Sequence, residues 1–213
     1  MVKLQSLQIA MRIFLIILIF IFSFQSWTKA NDVKEFEIEG ISVGDSLLSY
    51  FSKKKIKEFI NHESSYSYLN GDYVIIGISK SNQNSVDLST YQNLGITINK
   101  KDNQYEIKSI AGQSYTFANI NECNTKQKIV SKDIKEDLLE KNINEDIWEN
   151  DKWMSGGVVV GKSIMHDFYF DDKSAVRIIC YELNEEGKKF ANWRVKLDVI
   201  INSSEFNQFL QRK

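Results

Sequence analysis

Three groups of residues in this chain have types and spacings that could do chemistry. Cys123 and Cys180 are its only cysteines. In an exported chain such a pair predicts a disulfide, and closing the loop between them restrains the unfolded chain by about 4 kcal/mol on the loop-entropy account. A catalytic thiol is the sharper alternative. It needs a histidine to activate it, and the only two, His62 and His166, stand in no recognisable cysteine-hydrolase setting. The second group, Gly156-Gly157-Val158-Val159-Val160-Gly161-Lys162-Ser163, has the spacing of a phosphate-binding loop. That loop works between a buried strand and a helix, where backbone amides aim at phosphates. Here Asn150-Asp151-Lys152-Trp153 is no buried strand, three valines favour extended structure, and Ile164 to Phe170 alternates as a strand does. A Gly-bounded strand and turn is expected instead. The third group is Asp167, Asp171 and Asp172. It lacks the regular oxygen spacing and closing Glu of a calcium loop, so Asp171-Asp172-Lys173 reads as a turn. His166 shares a face with Ile164, Phe168 and Phe170 as a hydrogen-bonded structural residue.

Gly44-Asp45-Ser46-Leu47 resembles the signature of the GDSL esterases and, like that family's first block, follows a short alternating stretch. The resemblance implies Ser46 as nucleophile. Such a serine needs a histidine to take its proton and an acid to orient that histidine. The family's Asp-x-x-His near the C-terminus is missing, since no His follows His166 and Ser163 stands three before it. Its Gly-x-Asn-Asp block is missing too. Asp45 as a helix cap accounts for the four residues, and a secreted esterase using Ser46 remains the alternative.

The N-terminus sets the compartment. Lys3 and Arg12 precede an apolar run from Ile13 to Phe24, and Thr28-Lys29-Ala30 follows. This is the pattern of a signal peptide over 1–30, cleaved after Ala30. The alternative is an uncleaved inner-membrane anchor over 9–28, although a spanning helix needs about 20 apolar residues. No Cys follows the run, which argues against lipoprotein attachment. Cleavage removes Lys3, Arg12 and Lys29 and no acid, so the formal charge of −1 becomes −4. A mildly acidic chain lacks the basic footprint of a nucleic-acid binder. Its one basic run, Lys53-Lys54-Lys55 with Lys57, is followed by Glu58 and reads as a solvated helix face.

The elements that position these groups follow from periodicity. Asp45 is expected to cap a helix with Leu47, Leu48, Tyr50 and Phe51 inward, and Ser52 a second one carrying Ile56, Phe59 and Ile60. Tyr73 to Ile78 reads as a strand. Alternation at Leu94, Ile96 and Ile98, and again at Tyr105 and Ile107, flanks the turn Lys100-Lys101-Asp102-Asn103 as a hairpin. The clearest helix spans about 119–141, with Ile120, Cys123, Val130, Ile134 and Leu138 on one stripe, interrupted by Gln127. Val176, Ile178 and Cys180 share one face of a central strand whose other face carries Arg177, Ile179 and Tyr181. Val195, Leu197, Val199 and Ile201 back a strand with one wet side, and Ser203 caps a last helix. The polar stretch from Asn142 to Gly157 reads as a loop. The whole predicts an α+β fold, antiparallel sheet packed by the long helix, in one domain over 31–213 or two subdomains, 31–118 and 119–213.

The opening Phe36-Glu37-Ile38-Glu39-Gly40-Ile41-Ser42-Val43-Gly44-Asp45-Ser46-Leu47-Leu48-Ser49-Tyr50, the hairpin leading to a Cys at a helix start, and the late Ile-Cys-Tyr resemble a group of small exported proteins of AT-rich marine bacteria. That resemblance implies export and a shared fold, and it brings no catalytic residue with it. The expected function is therefore a non-enzymatic periplasmic or surface domain that binds an envelope protein, peptide or lipid component. No cofactor or metal is expected. Tyr66, Tyr68, Trp148 and Trp153, the aromatics least tied to a periodic core face, are the candidate binding surface.

Overall fold

Ser52 is extended, and its hydroxyl accepts from the Lys55 amide, so helix α1 starts at Lys53 and runs to Asn61. A short oxygen-bearing side chain satisfies a first-turn amide that no helical carbonyl can reach. Ile56 and Phe59 form its buried side, with Phe51 edge-on to Phe59, while Lys53, Lys54 and Lys57 are exposed. The Asn119 side chain caps α2 (Ile120–Asp137) by accepting from the Asn121 and Glu122 amides. This computed structural model describes residues 33–62, 65–68, 71–80, 88–138, 143–155 and 158–211. The expected signal peptide over 1–30, its anchor alternative over 9–28, and Gly156 and Gly157 lie outside them. Helix α2 closes at Asp137 with Leu138 as its C-cap, short of the expected Lys141, and 139–142 are also outside.

The strands build one eight-stranded sheet. They are β3 (Tyr66–Ser67), β4 (Tyr73–Ser79), β5 (Asn93–Asn99), β6 (Ile107–Ser114), β7 (Asn144–Ser155), β8 (Val158–Tyr169), β9 (Ala175–Leu183) and β10 (Val195–Asn202), in the order β3-β4-β5-β6-β10-β9-β8-β7. Every neighbouring pair is antiparallel. Each half of the chain thus runs a helix and then four consecutive strands, and the last strands of the halves, β6 and β10, abut. This is the α+β architecture, a long helix on an antiparallel sheet, that the sequence predicts.

One face is apolar. Ile76, Ile96, Ile110, Ile178, Cys180 and Val199 are among its buried residues, under α1 and α2 in a single core. Residues at period two point the other way, and that second face carries no long helix among the described residues. Only α3 (Ser204–Gln211) meets it, at one end. Ser203 caps α3 as expected, its hydroxyl accepting from the Phe206 amide, and Phe206 and Phe209 pack against Tyr68 and Tyr73.

Three expectations are corrected. Within the stretch expected to be a loop, Asn144–Ser155 is strand β7. It lies at the sheet's end, exposed through Asn144–Glu149, so alternation, the usual strand signal, has no cause there. Asp45 caps no helix. Ser46 caps a single 3-10 turn, Leu47–Ser49, while the Asp45 carboxylate accepts from the Ser42 amide and the Tyr50 hydroxyl. The outer side of β10 is not wet: Asp198 is 5 % exposed, because aromatic side chains gather over it.

Ahead of the sheet, β1 (Glu37–Ile38) and β2 (Ile41–Ser42) form a hairpin. Its two turn residues, Glu39 and Gly40, both have positive φ, the two-residue turn that matches strand twist. A non-glycine residue there costs free energy. The Glu39 carboxylate offsets it by accepting from the amides of Ser89, Thr90 and Tyr91 and from the Ser89 hydroxyl.

Candidate binding face

The open face is built by register. Lys196 stands opposite Tyr181, Asp198 opposite Ile179 on one side and Gln113 on the other, and Arg177 opposite Asp167. Two ion pairs lie on this face: Lys196 Nζ is 2.7 Å from Asp198, two residues along the same strand, and Arg177 Nη2 is 3.4 Å from Asp167 across the ladder. The Tyr169 hydroxyl donates to Asp167 and accepts from Arg177. Burial pushes both carboxyls up from the ordinary aspartate value, opposed by Lys196 at one and Arg177 at the other. Taking a carboxylate out of water disfavours its charge, and the adjacent cation recovers only part of that.

Aromatic rings close over Lys196. Its ammonium lies 4.7 Å from the Tyr181 centroid and 5.1 Å from that of Trp193, within cation–π range. Trp153 packs on Tyr181 at 4.9 Å and stacks on Trp193 at 5.8 Å with 17° between planes. Tyr115 adjoins Trp193, accepts from the Asn93 amide and donates to Gln113. Beside this stack opens a cleft of about 1490 Å³, lined by Gln92, Asn93, Tyr115, Phe117, Trp193 and Arg194 together with the turn from Lys188 to Asn192. Phe190, on that turn, is 80 % exposed. The arrangement offers flat rings, amides and cations to a ligand. Each buried carboxylate already has its cation, so the pairs serve to fix neighbouring side chains.

The sequence candidates do not form one site: Tyr66 and Tyr68 meet edge-on at 5.7 Å, away from both tryptophans. Trp153 is part of the stack. Trp148 is 54 % exposed on β7, and Tyr66, 58 % exposed, is on β3 at the opposite end of the sheet. Tyr68 packs against Phe206 and Phe209 of α3. Tyr115, Phe190, Trp193 and Lys196 complete the face without a periodic signal in the sequence. Phe190 and Trp193 lie outside any periodic stretch, the same criterion that singled out Trp148. Lys196 carried no signal, because a lysine alternating with core residues looks solvated.

The remaining motifs have structural work. Cys123 and Cys180 form the expected disulfide, with Cα atoms 5.9 Å apart, between α2 and β9. Ser46 Oγ donates to the Gln104 carbonyl and accepts from the Leu48 amide. The backbone of Gly44, Asp45 and Leu47 bonds to Ile107 and Tyr105, and Leu47 is fully buried, so the Gly-Asp-Ser-Leu corner ties the hairpin segment to β6. Residues Val158–Ser163 of the phosphate-loop pattern belong to strand β8. Gly161 is required by close approach, since a Cβ there would sit 2.3 Å from the Glu182 carbonyl oxygen. Asp171-Asp172-Lys173 make the turn from β8 to β9, where Asp172 accepts from the Ser174 amide. Among the described residues no His, Cys, Asp and Glu cluster suits a metal ion, and no helix is long and apolar enough to cross a membrane.

Comparison of the chain with protein-family models, curated proteins and solved structures finds no match. The fold and face define an α+β sheet protein with one helix-covered side.

Proposed function

We propose that this is an exported, non-enzymatic binding domain that offers its open sheet face to a protein, peptide or other envelope component. The observation that carries this reading is the open end of that face, where the Trp153–Trp193 stack adjoins the cleft beneath exposed Phe190. Rings held rigid by packing lose little entropy when a partner covers them. Export is supported by the leader pattern in residues 1–30 and by the disulfide, a bond favoured in oxidising compartments.

A native mass spectrum of the protein from its own envelope fraction tests this. The expected mass is that of the chain from Asn31, two hydrogens short, with a second species bound. Phe190→Ala and Trp193→Ala should each release that species at least tenfold more readily while the disulfide-bonded fold persists. Retention of residues 1–30 would instead establish the membrane-anchored form. Ester cleavage lost in Ser46→Ala with the fold intact would replace binding by hydrolysis.

A further inference from the structure

Strand β7 ends the sheet, and its outer edge meets no other strand among the described residues. From Asn144 to Trp148 it pairs regularly with Tyr169 to Met165, and the ladder shifts only after Trp148. The regular stretch is therefore an open row of backbone donors and acceptors. Natural sheets usually guard such a row with bulges or charge and keep large apolar side chains off it. Here Ile147 is 52 % and Trp148 54 % exposed, and as consecutive strand residues they point to opposite faces. The flanking residues are acids: Glu145, held by Lys135 at 2.7 Å, then Asp146, then Glu149.

We propose that β7 receives an added antiparallel strand from a partner whose extended segment carries two adjacent apolar residues flanked by basic ones. Main-chain hydrogen bonds to the open edge supply affinity, and side chains set the register. Read antiparallel to Glu145-Asp146-Ile147-Trp148-Glu149, the matching order is one basic residue, two apolar residues and two basic residues. A second copy of this chain fits badly. With Ile147 opposite its own copy, each Glu145 would face a Glu149, and like charges directly opposed are destabilising. The acids thus guard the edge against self-pairing and select a basic strand. This proposal rests on the binding-domain reading but uses the sheet edge instead of the open face.

The test uses the purified protein and a synthetic peptide, Thr-Lys-Val-Val-Lys-Lys-Thr, with two controls. One carries N-methyl groups at alternate residues, and the other has Glu in place of Lys. The peptide should slow amide exchange across 145–149 and shift tryptophan emission, and Trp148→Phe should remove that shift. Both controls should bind at least tenfold more weakly, as should the Asp146→Lys and Glu149→Lys variants towards the original peptide. Equal binding of the N-methylated peptide, or no protection at 145–149, would overturn the proposal. Concentration-dependent protection of the same amides without peptide would also overturn it, in favour of self-pairing. If the peptide fails while the envelope species still depends on Phe190 and Trp193, only the edge proposal falls.

Discussion

Helices α1 and α2 lie on the same face of one sheet, yet different chemistry holds them. Helix α1 is held by apolar burial, with Ile56 and Phe59 reaching the core beside Phe51. Helix α2 buries Cys123, Gln127, Ser131 and Ile134, so half of this set is polar. Its attachments are directed ones. The disulfide joins it to β9, the Gln127 amide donates to the carbonyls of Ile164 (2.9 Å) and Ile178 (2.6 Å), and Ser131 Oγ lies 3.0 Å from His166 Nδ1. Apolar contact is non-directional and tolerates small slips. Hydrogen bonds and a covalent bridge do not, so α2 is the helix whose register on the sheet is specified residue by residue.

Replacing both cysteines by alanine is the largest test of that contrast. It should lower unfolding stability by about 4 kcal/mol, read from urea midpoints. A loss below about 1 kcal/mol would mean that the polar bonds already hold α2. On the other side, Ile56→Ala should cost about 3 kcal/mol through lost transfer energy and the cavity left behind, with hydrogen exchange accelerating most in α1 and β4. Should α2 loosen equally, the two attachments are not independent. Gln127→Met keeps the volume and removes the two bonds. The expected cost is about 1 kcal/mol, because the Gln127 carbonyl oxygen, which has no partner in its buried setting, is removed together with the two donated bonds.

The smallest effect concerns pH. Burial in the α2 seam holds the His166 imidazole below its ordinary value, with Glu145 and Glu149 from β7 raising it and Lys135 and Lys128 from α2 lowering it. The unfolded chain then binds a proton that the folded chain resists. Stability should therefore fall as pH drops below about 6.5, levelling off under the folded value, with a ceiling of about 1.4 kcal/mol per pH unit for one proton. Comparing urea midpoints at pH 7.5 and 5.5, His166→Gln should lose this slope. A persistent slope would assign it to another group.

Much of the scaffold was legible in the chain. Ser52 and Ser203 signalled their helices because a cap is a local bond between neighbours, and the β5–β6 hairpin was legible for the same reason. The stripe on α2 identified Cys123 and Ile134 as inward-facing, and Ile120 and Val130 pack against the core, but it passed over buried Ser131, since period counting cannot see a hydroxyl's partner on a distant strand. The binding face was much less legible. Trp153, expected in a loop, stands on β7 and stacks on Trp193 just ahead of β10. Trp193 and Lys196 are near neighbours in the chain, but Tyr115 from just past the end of β6 and Tyr181 from β9 reach them only through the β6–β10–β9 pairing.

Sequence by itself determined the leader pattern, the antiparallel α+β class, the cysteine pair and most helix starts, because each rests on contacts or periodicities within a few residues. Tertiary structure decided that 144–155 is an edge strand, that Asp198 is buried, and that the Gly-Asp-Ser-Leu corner is a tie to β6. Each of these depends on which distant strand lies alongside, and an amino-acid sequence records that pairing only through the packing it must satisfy.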